Sequence, residues 1–136
     1  MEAYVFLYLT MLRLTLISFL CLWLTIASAL NLDSLWALWN DTSQADSNRL
    51  SAIQEIIQDR YIFSKPDSAF YFAQMQYDLA EVNGRKIYMA AALNIQGVSF
   101  AIRGIHMKAI ECYSQSRKIF EEMGNKRGIA TAILNM

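Results

Sequence analysis

The chain has 136 residues with 12 basic and 12 acidic side chains, so its formal charge is zero, and 55% of it is hydrophobic. A neutral chain has no net field to draw in nucleic acid or an anionic surface, which leaves partners recognised by shape and hydrogen bonding. One histidine and two cysteines are too few for a disulfide framework or a zinc site, and no cofactor or metal is expected.

Residues 1–29 read as a targeting segment. Leu14 to Ile26 forms the apolar stretch, Arg13 is the one basic side chain before it, and Ala27-Ser28-Ala29 meets the small-x-small cleavage rule. Cleavage places a new N-terminus at Leu30 in an exported, periplasmic or otherwise extracytoplasmic protein. Initiation at Met11 gives a leader of ordinary length. The alternative is an uncleaved helix over Ala3–Leu30, long enough to tether the chain to a membrane, with Arg13 near its middle. Without the leader, acids and bases still balance and Cys112 is the one cysteine left, so no intramolecular disulfide can form.

Residues 30–46 are a transition. Leu35, Leu38 and Trp39 share one face of a short amphipathic helix that packs on the first repeat, and Asn40-Asp41-Thr42-Ser43-Gln44 reads as loop. In the tethered alternative, Trp36 and Trp39 sit at the membrane interface.

From there the pattern is helical throughout. Asp46 or Ser47 caps a helix from Asn48 to about Phe63, with Leu50, Ile53, Ile56, Ile57 and Tyr61 inward. Ser64-Lys65-Pro66-Asp67 turns the chain, Pro66 opens the next helix, and Asn83-Gly84 closes it. A third helix spans Lys86 to Ile102 and stops at Arg103-Gly104; a fourth runs from His106 to Met123 and ends at Gly124. A fifth begins after Lys126-Arg127-Gly128. No alternating run of strand length appears.

The hairpins repeat. A shift of about 40 residues brings Ala69 onto Ala109, Leu79 onto Ile119, Glu81 onto Glu121, Gly84 onto Gly124 and Ala52-Ile53 onto Ala92-Leu93. Ala132 to Met136 repeats Ala91 to Ile95 if one extra residue is placed in the preceding connection. In the middle copy Leu93, Gly97, Phe100, Ala109, Tyr113 and Ser116 alternate large, small, aromatic, small, aromatic and small, a spacing that lets two helices approach at Gly97 and Ala109; Ala69 and Ala73 are the small positions of the first copy.

On these residues the chain resembles the tetratricopeptide repeat family. The resemblance implies an all-α solenoid of about two and a half hairpins, over 47–85, 86–126 and a partial 127–136. Gln96 stands where the family has Leu or Ile, and Ile57 and Arg60 take the first-copy places of Gly97 and Phe100. The period also exceeds the family's usual 34 residues or so, as in the longer repeats of kinesin light chains and many bacterial signalling proteins.

Chemistry is sparse. His106 has no second ligand at a metal spacing, Cys112 has no nearby base, and Glu121-Glu122 point about 100 degrees apart on a helix. The glycine-bearing basic loops lack a phosphate-cradle pattern, so an enzyme is not expected. The family resemblance puts the first helix of each repeat on a concave, peptide-binding face, with Gln54, Asn94 and Asn135 as a ladder of carboxamides and Val98 and Ala101 as a shallow apolar floor. The partner is then a protein or peptide and not a nucleic acid.

A solenoid of so few repeats ends on an apolar helix with Ile133, Leu134 and Met136 unpaired, which predicts either more chain or self-association through that helix. Leader, short helix and long-period repeats resemble the extracytoplasmic input region of bacterial membrane signalling proteins. A sensor or scaffold module at the front of such a protein is the expectation, and a stand-alone exported scaffold or assembly factor the alternative.

Overall fold

The computed structural model describes residues 11–19 and 31–136, and every regular element among them is helical. Residues 11–19 form one helical stretch, and none of the described helices is long and apolar enough to cross a membrane. The expected cleavage motif at 27–29 and most of the expected leader lie outside the described residues. Leu35–Met136 makes one compact unit.

This unit takes in α1 (31–40) from Leu35 onward, α2 (Asp46–Ile56), a π-helical turn (Ile57–Tyr61), α3 (Pro66–Val82), α4 (Lys86–Ile102), α5 (His106–Glu122) and α6 (Lys126–Leu134). Consecutive helices pack on one another as antiparallel hairpins. Ser99 near the end of α4 donates its hydroxyl to the Pro66 carbonyl at the start of α3 (2.6 Å), and Ser116 late in α5 donates to Ala90 early in α4 (2.8 Å).

Three of the turns are built alike. Gly84, Gly104 and Gly124 all have positive φ, 61°, 75° and 66°, a conformation in which a Cβ would meet the following carbonyl. After each glycine the next amide reaches back to a carbonyl five residues earlier: Arg85 to Ala80, Ile105 to Phe100 and Asn125 to Phe120, at 2.8, 2.9 and 2.9 Å. The glycine amide bonds three residues back in each case. This double closure satisfies the last carbonyls of each helix and fixes the angle at which the next departs.

The core follows the small-large pattern. Ala69, Ala73, Ala90, Ala92, Leu93, Ala109, Tyr113 and Ser116 are all buried. The Tyr113 ring lies against Gly97, where a Cβ would stand 2.4 Å from Cε1. Phe100 is half-buried and meets Phe70 edge-on at 5.0 Å, and Lys108 and Arg103 also lie over its ring. Gln96, the polar residue in an apolar place, is buried and satisfied: its Nε2 donates to Gln74 Oε1 (2.8 Å), and Gln74 in turn donates to Asp78 (2.8 Å).

Three expectations need correction. The helix predicted from Asn48 to Phe63 is α-helical only to Ile56; Ile62 N–H then bonds to the Ile57 carbonyl (3.0 Å), five residues back, which makes the π-turn. Its N-cap is Ala45, with no side-chain cap, because Asp46 is inside the helix and paired with Arg49 at 2.9 Å. The connection before α6 carries no extra residue: Met123-Gly124-Asn125 is as long as Asn83-Gly84-Arg85, so Ala132 takes the place of Ala92, and both are fully buried.

α1 packs on the first hairpin. Trp39 is buried, its carbonyl accepting from Arg49 Nε (3.1 Å) while the guanidinium lies over its ring, and Trp36 meets Phe72 edge-on at 5.2 Å. Trp39 is therefore spent on packing against the first hairpin.

Candidate functional site

Helices α2, α4 and α6 border a groove of ≈ 540 Å³ that Phe120 of α5 also lines. Helical periodicity places its lining. Ser51 and Gln54 on α2 and Gln58 in the π-turn that follows it recur every three or four residues; Ile87, Tyr88, Ala91, Asn94 and Ile95 line it from α4, and Arg127, Gly128 and Thr131 from α6. Across the helices Ser51, Ala91 and Thr131 stand at equivalent repeat positions, as do Gln54 and Asn94.

One bond and one close contact hold the α6 side. Asn125 Oδ1 accepts from the Gly128 amide (3.0 Å) and caps the helix, and Gly128 lies against the Phe120 ring so closely that a Cβ would be 2.3 Å from Cδ1. Beside it Lys86 and Glu122 pair at 2.9 Å, joining the start of α4 to the end of α5, and this hydrogen bond holds the Glu122 carboxyl below its ordinary range.

The polar groups of the groove are already partly engaged. Gln54 Oε1 accepts from Gln76 Nε2 on α3 (3.1 Å), and Asn94 Oδ1 accepts from Asn135 Nδ2 at the end of α6 (3.0 Å). Arg127 is the one charged residue in the lining, and there is no carboxylate. The surface can therefore donate hydrogen bonds and attract negative charge.

The predicted site residues divide. Gln54 and Asn94 line the groove together. Asn135 reaches it only through its bond to Asn94 and caps α6, outside the lining. Val98 and Ala101 are half-buried further along α4, also outside it, so the apolar floor is made by Ile87, Ala91 and Ile95. Sequence reasoning missed Ser51, Gln58, Tyr88, Arg127 and Thr131, although the offset of about 40 residues that aligned Gln54 with Asn94 also aligns Ser51, Ala91 and Thr131. Gln76 carried no sequence signal as a site residue.

Elsewhere, Cys112 is half-buried, and burial together with Glu111 raises its thiol pKa, which suppresses the reactive thiolate. His106 is exposed at the start of α5. Among the described residues no group of three or more His, Cys, Asp or Glu side chains could hold a metal ion. No protein-family model, curated protein or solved structure matches this chain.

Proposed function

We propose that this chain is a peptide-binding module of the tetratricopeptide-like helical-repeat class, and that its groove receives an extended segment of a partner protein. The observation that carries the reading is the groove itself. It runs across α2, α4 and α6, its rungs recur at the repeat interval, and its walls alternate apolar contacts at Ile87, Ala91 and Ile95 with carboxamides at Gln54 and Asn94. An extended backbone presents carbonyls and amides at short regular intervals, which suits such a row of neutral polar groups.

We place this module outside the cytoplasm on the leader pattern, as the sensing or scaffolding region of a bacterial signalling protein, and assign it no catalysis. Selection of a displayed random-peptide library on the full chain, with Asn94→Ala in parallel, tests the binding reading. Peptides enriched on the wild type and weakened on Asn94→Ala at unchanged helix content are expected; no enrichment, or equal binding to both, contradicts it.

A second reading, self-association as an assembly factor, rests on α6, where Ile133 and Leu134 are 52% and 85% exposed. Sedimentation that depends on protein concentration, and ceases to in Leu134→Glu, would favour it.

A further inference from the structure

Gln76 is fully buried between the first two helices of the repeat unit, and at the equivalent place in the next hairpin stands Ser116, also fully buried. The serine is short and bonds to a backbone carbonyl of the neighbouring helix. The glutamine is long and reaches past the backbone to the side chain of Gln54, while its own Oε1 has no hydrogen-bond partner. A buried, half-satisfied carboxamide is costly where an alanine or serine would pack, so its geometry calls for a purpose.

We propose that Gln76 is a positioning residue that turns Gln54 so that its Nε2 faces the groove, making the wall a hydrogen-bond donor. The second hairpin reaches the same end by another route, since Asn135 occupies the oxygen of Asn94 and leaves Nδ2 to the groove. With one lone pair on the oxygens of Gln54, Asn94 and Asn125 already engaged, Arg127 nearby and no carboxylate in the lining, the groove favours ligands rich in acceptors. The ligand class is an extended peptide bearing acidic side chains, its carbonyl oxygens on Gln54 and Asn94 and a carboxylate toward Arg127. This rests on the peptide-binding reading above and narrows it.

The test uses the full chain, Gln76→Met and Gln76→Ser, with three synthetic peptides of alternating Glu-Ala, Gln-Ala and Lys-Ala. Binding is followed through the side-chain amide NMR signals of Gln54 and Asn94. The Glu-Ala peptide should bind best and move both signals. Gln76→Met, which keeps the volume but frees Gln54 to rotate, should weaken that peptide about three- to ten-fold, the span of one neutral hydrogen bond. Its thermal stability should be unchanged or higher, since the orphaned oxygen is gone. A purely structural glutamine would lower stability and affinity together in both variants.

Equal binding of all three peptides, or full affinity in a folded Gln76→Met, overturns the donor-wall proposal and leaves the peptide groove standing. Tightest binding of the Lys-Ala peptide overturns it as well. Failure of all three to move the Gln54 and Asn94 signals, while library-selected peptides do move them, overturns the acidic ligand class alone; failure of both sets removes the groove reading too.

Discussion

Gly97 and Tyr113 are in contact to the point of exclusion: a Cβ on residue 97 would lie 2.4 Å from Cε1, 2.6 Å from Cδ1 and 2.9 Å from Cζ of the Tyr113 ring. Tyr113 is only 3% exposed, so the ring has no open space into which to retreat. Helix propensity alone favours Ala over Gly by about 1 kcal/mol, and overpacking opposes it by about 1–3 kcal/mol. Gly97→Ala is therefore expected to lower stability in urea unfolding, with recovery when Tyr113→Leu is added. A Gly97→Ala variant as stable as the wild type would contradict the close approach.

The first hairpin inverts this pair. At the places of Gly97 and Tyr113 it carries Ile57 and Ala73, both fully buried, so bulk moves from the second helix to the first. Ile57→Ala is expected to cost about 2–5 kcal/mol by leaving a cavity. Combining Ile57→Gly with Ala73→Tyr transplants the middle pair, and the double variant should be more stable than the sum of its singles, by about 0.5–3 kcal/mol of coupling. Strict additivity in this cycle would show that the two hairpins are not equivalent.

These pairs mark how far the sequence was legible. The bounds of α4 match expectation and those of α5 fall within a residue of it, because glycine at a positive-φ stop is a local signal, read from three residues without knowledge of the rest. The π-turn was not legible, since it depends on how Ile57 meets its surroundings and α- and π-helical residues share one apolar spacing over so short a stretch. The groove was half legible. Period and offset found Gln54 and Asn94, but the offset of 41 for Asn135 came from matching letters across a connection whose true length is unchanged. Gln76 was out of reach because polar residues on a helix are read as solvent-facing, and its burial is a property of the packed hairpin.

The Lys86–Glu122 pair gives a pH signature. Its hydrogen bond and charge depress the Glu122 carboxyl in the folded chain, so the pair contributes above the ordinary glutamate range and is lost as pH falls through the lowered folded value. Carboxyl NMR should show Glu122 titrating below the ordinary glutamate range, and Lys86→Met should return it there. Because both groups are exposed, added salt should shrink the difference. A Glu122 midpoint that ignores Lys86→Met would remove the pair.

The leader is tested by chemistry at the N-terminus. Expressed in a secretion-competent bacterium, the chain is expected to begin at Leu30, the residue after Ala27-Ser28-Ala29. A membrane-bound product that still carries Met1 or Met11 would favour the uncleaved tether.

The central claim is that the groove bordered by α2, α4 and α6 binds peptide, and backbone NMR of the full chain with a library-selected peptide tests it most directly. Shifts should concentrate at Ser51, Gln54, Ala91, Asn94 and Thr131, the residues that line it. Shifts confined to exposed positions of α3 and α5 such as Tyr71 and Glu111, with the groove signals unmoved, would contradict the account.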